Sequence, residues 1–317
     1  MESGRLRSAV PAQEEPGTQA QNRPRATSPA PAVLRALRPK QWIKNGFVAA
    51  ALVFSGHLRD PSQLRLTAWA VAVFCLLSSA GYLMNDVVDA DRDRAHPVKR
   101  FRPIAAGDLS PPAATVIAAA LTMTGILGAV LLGKNFAFIA VAYVSLSLAY
   151  SLILKRSPVL ELLIVAGGFV LRAASGAAAI DVPMSWWLGL LTFLLALFVL
   201  VGKRRSDGNT EGYAPAISYP RMVLDRSLVA IGFAVVALYG AYAVAAANLP
   251  RDHVMLLTLP FVGLGLWRYG AMVTGRSRRA AGWDLSAPEE TLLRDPFLYL
   301  TVAAWIATSI IALYVMK

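Results

Sequence analysis

The chain has 317 residues, 56% of them hydrophobic and 16% charged, with a formal net charge of +12. That is too apolar for a soluble domain, so the composition excludes an ordinary globular enzyme and fits a multi-span membrane protein. The single cysteine, Cys75, excludes a disulfide framework or a cysteine metal site, and His57, His96 and His253 are too scattered for a metal cluster.

Residues 1 to about 32 are rich in Pro, Ala, Gln, Ser and Arg and lack an apolar period, which predicts a disordered tail. The tail has no apolar h-region and is no signal peptide. Residues 33–317 read as one membrane domain. Its apolar segments fall at about 41–57, 66–90, 111–132, 135–154, 158–180, 184–202, 224–247, 252–273 and 295–316, each long enough to span or nearly so. They predict an all-α integral membrane bundle of about nine transmembrane helices, with the termini on opposite sides. The first segment is polar at its start (Arg38, Lys40, Gln41, Lys44, Asn45), as expected of a helix that begins at the interface. Trp42, Trp186 and Trp187 sit near predicted span ends, where interfacial aromatics concentrate.

Lys and Arg set the orientation. With the N-terminus in the cytoplasm, 24 of the 31 fall on the cytoplasmic side and 5 outside, while Arg172 and Arg268 lie within spans. The prediction is a multi-pass protein of the plasma (inner) membrane with a cytoplasmic N-terminus and an outer C-terminus. This asymmetry accounts for the net charge, so no nucleic-acid partner is needed. The acid cluster after the second span and the basic clusters after the fourth and sixth open on the cytoplasmic side, which places the site there.

The second span ends in Asn85-Asp86-Val87-Val88-Asp89-Ala90-Asp91-Arg92-Asp93, and Arg94, His96, Lys99, Arg100 and Arg102 follow. Carboxylates at a membrane boundary are costly unless function requires them. At 100° per residue Asp86, Asp89 and Asp93 share an arc of about 60°, whereas Asp91 points about 140° from Asp86. Three acids on one face repel unless a hard cation lies among them. Mg²⁺ suits the pattern, because it takes a few carboxylates and completes its shell with water and substrate phosphates. The bland alternative is a solvated charged loop, which rarely aligns its acids on one face.

Lys99 and Arg102 are candidate phosphate ligands, against a plain topology signal. Arg102 precedes Pro103, which restricts its backbone, and a fixed Arg can clamp a phosphate through a bidentate fork. Tyr150 and Lys155 close the fourth span. They share a site only if the helix ends between them, and an interfacial belt tyrosine is the competing reading of Tyr150. Glu161 either pairs with Lys155 or touches the site. Arg172, deep in the fifth span among small residues, must face a polar cavity or a partner. Lys203, Arg204 and Arg205 close the sixth span, and Lys203 and Arg204 are the further candidates for phosphate. Arg276, Arg278, Arg279 and the run from Arg5 to Arg38 read as topology.

The stretch Asn85-Asp86-x-x-Asp89-x-x-x-Asp93 resembles the first Asp-rich motif of the UbiA superfamily of intramembrane prenyltransferases. The resemblance implies nine transmembrane helices around a cytoplasm-facing, Mg²⁺-dependent cavity. Within the superfamily the chain is similar to the decaprenyl-phosphate phosphoribosyltransferase branch, through Leu37 to Asn45, Asn85 to Gly107, Tyr150 to Lys155, Gly168 to Ala173, Gly202-Lys203-Arg204 and Pro288 to Asp295. Ordinary aromatic prenyltransferases carry a second Asp-rich motif after the sixth span. Here that position begins Lys203-Arg204-Arg205, with only Asp207 and Glu211 following.

The resemblance implies transfer of 5-phosphoribosyl from phosphoribosyl diphosphate to a polyprenyl phosphate, toward a lipid-linked pentose donor for cell-envelope arabinan. Asp86 and Asp89, with Asp93 and Asn85 in support, would hold Mg²⁺. Lys99 and Arg102 would bind the diphosphate or 5-phosphate, and Lys155, Lys203 and Arg204 the remaining phosphates. Tyr150 would line the pocket, and Lys40 and Lys44 would guide the lipid headgroup. Partners are the two substrates and membrane lipids, and assembly into a homo-oligomer stays open. Two alternatives remain: a prenyltransferase acting on an aromatic or quinone precursor, and a transporter or scaffold for anionic metabolites. The last would favour charge at the bilayer midplane rather than at helix ends.

Overall fold

The computed structural model describes residues 29–96, 98–153, 158–207, 219–246, 249, 253–275 and 288–315. The predicted disordered tail thus falls largely outside the described residues, although a short helix, α1, already begins at Pro29 and runs to Leu37.

Eight helices among the described residues are long and apolar enough to cross a membrane. They are α3 (Pro61–Val88), α5 (Pro111–Leu131), α6 (Lys134–Leu152), α7 (Pro158–Ala179), α8 (Trp186–Asp207), α9 (Arg221–Ala245), α10 (Leu259–Val273, led in by a 3-10 turn, Val254–Thr258) and α12 (Pro296–Tyr314), the last preceded by a short helix α11 (Pro288–Arg294). Local chemistry sets several of their starts. Asp60, Ser110 and Asp295 accept backbone N–H bonds from the first turns of α3, α5 and α12, and each is followed by proline. Gly133, at φ 106°, turns the chain between α5 and α6.

The first predicted span is not one α-helix. It is a 3-10 helix, Pro39–Ala49, continued by a short helix α2, Ala50–Phe54. A 3-10 helix rises about 2.0 Å per residue, so these residues still reach about 30 Å, the thickness of the hydrocarbon core. The ends confirm the crossing. Arg38 meets Asp86 at the C-terminal end of α3, while Leu58 donates its N–H to the Tyr314 hydroxyl at the end of α12. Beside the eight long apolar helices, the described residues thus hold one further stretch of about spanning length.

The 3-10 segment is narrow enough to lie deep among its neighbours, α3 and α7. Asn45 is buried and donates to Ser78 Oγ and Cys75 Sγ of α3 (3.2 and 3.3 Å). Its Oδ1 accepts from Arg172 Nε of α7 (3.0 Å). The Val48 carbonyl lies so close to α7 that a Cβ at Gly176 would stand 1.8 Å from it. Around this seam Val48, Phe74, Leu77, Phe136 and Tyr143 form one core. A second core, Phe198, Leu224, Leu228, Tyr269 and Met272, joins α8, α9 and α10. The outward faces carry exposed Val116, Met123, Leu127, Phe138, Val229 and Phe233, as lipid-facing surfaces do.

Candidate active site at the mouth of the cavity

A cavity of about 2850 Å³ runs through the bundle. Its far part is aromatic, with Phe54, Trp187, Tyr242 and Trp305 in its wall. Its mouth is charged. At about 1.5 Å per residue α3 is some 42 Å long, more than a bilayer core needs, so its last turns carry the acid motif beyond the apolar zone.

The motif divides between two environments. Asn85, Asp89, Asp91 and Asp93 line the cavity and Asp86 does not. Asp86 is 2% exposed and faces two arginines. Arg38 Nη2 donates to both of its oxygens (2.5 and 2.7 Å) and Arg102 Nη1 to Oδ1 (3.0 Å). The same Arg102 nitrogen donates to Asp93 Oδ2 at 2.6 Å. Asp91 sits at the exposed rim and pairs with Arg94. The α3 helix ends at Val88, and a short helix α4, Ala90–Arg94, continues beyond Asp89.

From the sequence alone Arg38 reads as a topology cation. Its placement is local in origin. The Arg38 backbone is left-handed (φ 54°, ψ 59°), a conformation that costs a non-glycine residue on the order of 1 kcal/mol or more. It turns the chain from α1 into the 3-10 helix and aims the side chain at Asp86. The turn is pinned by Ser79, which donates to the Leu37 carbonyl and accepts from Trp42 Nε1. The guanidinium lies 5.3 Å from the Tyr82 ring centroid.

Lys99 and Arg102 both line the mouth. The backbone at Arg102 is extended (φ −63°, ψ 143°), as the following proline requires. Lys99 opens a 3-10 turn, Lys99–Phe101, whose N–H groups at Val98 and Lys99 donate to His96 Nδ1 (3.1 and 3.2 Å). Burial, then the charge of Arg102, pushes the Lys99 ammonium below the usual lysine range, with Asp93 opposing. Burial likewise lowers His96, which suits a neutral ring accepting those two bonds.

Lys203 and Arg204, from the end of α8, complete the basic wall. Arg204 pairs with Glu161 Oε2, and Tyr150 donates to Glu161 Oε1 (3.0 Å). Glu161 therefore touches the site. The α6 helix ends at Leu152, between Tyr150 and Lys155, which is the condition for a shared site. Lys155 itself, like Glu211 and Arg276 to Arg279, lies outside the described residues. Arg205 turns away to Asp225.

Of the two lysines expected to guide a headgroup, Lys44 lines the cavity and Lys40 does not. Lys40 is 79% exposed and pairs with Glu290. The cause is the 3-10 winding. At 120° per residue Lys40 and Lys44 part by about 120°, whereas an α-helix would keep them about 40° apart.

No group of three His, Cys, Asp or Glu residues lies close enough to cage a metal among the described residues. The donors present are all oxygens, and the Asn85 Oδ1 is buried without a hydrogen-bond partner. Such a set fits Mg²⁺, which keeps several waters and takes substrate phosphates rather than a full protein cage. Of the expected set Asp86, Asp89 and Asp93, Asp86 lies behind the wall against Arg38 and Arg102, so Asp89 and Asp93 with the supporting Asn85, at i, i+4 and i+8 on the cavity wall, are the residues that would hold it.

A sequence model of the UbiA prenyltransferase family matches residues 46–285. Among curated relatives, the decaprenyl-phosphate phosphoribosyltransferase of Mycobacterium tuberculosis is 36% identical over 286 residues, covering 87% of this chain and 92% of that protein. The protein of that name from Corynebacterium glutamicum is 34% identical, covering 90% of this chain and 88% of its own length. Among solved structures, a UbiA homolog from Archaeoglobus fulgidus bound to GPP and Mg²⁺ has a TM-score of 0.67 at 19% identity, covering 89% of this chain and 99% of that one.

Proposed function

The chain belongs to the UbiA prenyltransferase family, and on that footing we propose that it is a membrane-bound phosphoribosyltransferase. It transfers 5-phosphoribosyl from phosphoribosyl diphosphate to a decaprenyl-type polyprenyl phosphate and releases diphosphate. The observation that carries the reading is the charge of the cavity wall, with eight Lys and Arg side chains against four Asp and Glu. A site of that balance suits substrates with several phosphates. The relatives named decaprenyl-phosphate phosphoribosyltransferase support it independently.

Mg²⁺ bound by Asn85, Asp89 and Asp93 would supply neutralisation of the diphosphate leaving group. Lys99 and Arg102 hold phosphate oxygens from the α4 side, and Lys203 and Arg204 from the α8 side. These contacts fix the ribose so that its anomeric carbon faces the acceptor. The acceptor phosphate is already anionic, so its oxygen attacks as the C1–O bond to diphosphate breaks and no strong general base is needed. Lys44 steers the lipid headgroup, and the prenyl chain lies in a groove between spans, open to the bilayer. The excess of Lys and Arg at this end supports a cytoplasmic mouth and an outer C-terminus. On this reading the product is the precursor of a lipid-linked pentose donor for cell-envelope arabinan.

An aromatic prenyltransferase would want a second acid motif on the α8 side. The described carboxylate at that wall is Glu161, already engaged by Arg204. The test is an assay of purified protein in detergent with Mg²⁺, phosphoribosyl diphosphate and polyprenyl phosphate, read by mass spectrometry. Phosphoribosylated lipid that disappears with EDTA is the expected result. No product, in a sample that instead consumes a prenyl diphosphate with an aromatic acceptor, would overturn the proposal.

A further inference from the structure

Resting on that reading, we infer that Asp86 is the anchor of a two-arginine clamp for a phosphoryl group rather than a metal ligand, and that Arg38 is half of the clamp. The first ground is position. Asp86 is buried behind the cavity wall, while Asn85 and Asp89, on either side of it in the motif, reach the wall. To meet a cation there, the Asp86 carboxylate would have to leave both arginines.

The second ground is how the guanidiniums are used. Arg38 spends only Nη2 on Asp86, and Arg102 spends only Nη1 on Asp86 and Asp93. Among the described residues the Nε and Nη1 of Arg38 and the Nε and Nη2 of Arg102 make no hydrogen bond. Both side chains line the cavity. One buried carboxylate thus holds both guanidiniums from behind; Arg102 keeps its Nε–Nη2 edge, which suits bidentate phosphate recognition, and Arg38 keeps single donors on Nε and Nη1 for an anionic ligand.

The third ground is charge. The pair of arginines exceeds Asp86 by one unit, and Asp93 is shared by Arg102 at the wall. A phosphate group arriving at the clamp replaces Asp93 on Arg102 and frees that carboxylate on the cavity side. Asp86 acts through the arginines and touches no reacting atom, so it is a positioning residue.

The experiment measures two quantities on wild type, Asp86→Asn, Asp86→Glu, Arg38→Gln and Asp89→Asn. The first is Mn²⁺ binding in the presence of inorganic diphosphate, by electron paramagnetic resonance. The second is KM for phosphoribosyl diphosphate and for polyprenyl phosphate. Asp86→Asn and Arg38→Gln should bind Mn²⁺ within about twofold of wild type while one substrate KM rises about tenfold or more. Asp89→Asn should lose Mn²⁺ binding, and Asp86→Glu should recover part of the lost KM. A rise confined to the donor KM assigns the clamp to a donor phosphate, and one confined to the acceptor KM assigns it to the lipid phosphate. The inference fails if Asp86→Asn loses Mn²⁺ as Asp89→Asn does, or if Arg38→Gln leaves both KM values unchanged. Should Asp86→Asn not fold, Arg38→Gln decides alone, because it leaves Asp86 paired with Arg102. Wild type that makes no phosphoribosylated lipid sinks the proposed reaction instead, and the Mn²⁺ arm still decides the role of Asp86.

Discussion

Replacing Gly176 by alanine tests the link between the irregular first crossing and the site. The new Cβ would stand 1.8 Å from the Val48 carbonyl oxygen, 2.8 Å from its carbon and 3.2 Å from its Cα. A carbon–oxygen contact needs about 3.3 Å, so the 3-10 helix and α7 must part by roughly 1.5 Å. The obstacle is backbone, so no side chain can rotate to relieve it. Overpacking of this kind costs about 3 kcal/mol, which corresponds to a fall in Tm of roughly 4–5 °C for a chain of this size. The 3-10 helix also carries Lys44 and Asn45 and begins at Arg38. A shift of about 1 Å at groups that position substrate can cost about 100-fold in turnover. The control is Gly167→Ala on the same helix, where the added carbon meets nothing within 4 Å. Thermal unfolding in detergent and product formation would be compared for both. If Gly176→Ala matches Gly167→Ala in Tm and in turnover, the close seam is not what sets the site.

Arg172 is 6% exposed and joins three elements through Asn45 Oδ1, the Tyr143 hydroxyl and the Gly168 carbonyl. Arg172→Met should cost about 2–4 kcal/mol by leaving these groups unpaired, seen as a lower Tm, and Arg172→Lys should restore little because an ammonium cannot match the fork. Lys99 must be charged to hold phosphate, and its pKa lies below the ordinary lysine value. Donor KM should therefore rise as pH climbs through a range below about 10.4, and Lys99→Arg should push that alkaline limb outward. Linkage gives the matching sign for stability: between the lowered pKa and the ordinary one the unfolded chain binds the extra proton, so folding gains as pH rises there. Glu161 competes with ligand phosphate for Arg204, in a pair that is partly exposed. Glu161→Gln should tighten inhibition by inorganic diphosphate about fivefold or less, and weaker inhibition would mean that Glu161 orients Arg204 instead.

The parts of the site that were legible in the sequence are those set by local spacing. The place of the acid motif at the end of α3, the extended backbone at Arg102 and the break after Tyr150 each follow from a few neighbouring residues, whereas the expected alignment of Asp86 with Asp89 and Asp93 fails at the wall because Arg38 and Arg102 hold Asp86 behind it. Orientation of the cavity wall does not. Arg38 reaches Asp86 across 48 positions, and it does so because a left-handed residue before Pro39 bends the chain into the bundle. Charge and hydropathy alone do not separate Arg38 from the topology cations that precede it; the one sequence signal is that it falls in the Leu37 to Asn45 stretch that carries the family resemblance. Lys40 and Lys44 part company because the segment winds as a 3-10 helix, a choice made by tertiary packing against Gly176 and α3. Glu161 meets Arg204 only because α7 and α8 pack together. Hydropathy placed the crossings well, including one built of too few α-helical residues to look like a span, because extended winding made up the length.

Charge balance at the cavity wall argues for the proposed substrates over a single prenyl diphosphate. The wall carries Arg38, Lys44, Arg92, Lys99, Arg102, Arg172, Lys203 and Arg204 against Asp89, Asp91, Asp93 and Glu161, and counting the directly paired Asp86 and Arg94 as well leaves an excess of four positive charges. One bound Mg²⁺ raises the excess to about six. A diphosphate ester brings about three negative charges and each phosphomonoester up to two. A donor with a diphosphate and a 5-phosphate, together with a lipid phosphate, supplies about six to seven and closes the balance. A prenyl diphosphate with a neutral acceptor supplies about three and leaves about three positive charges at the mouth unmatched. A second acid motif solves that problem in an enzyme with one diphosphate substrate. Here the lysines and arginines that stand at its position would be compensated by the substrates themselves.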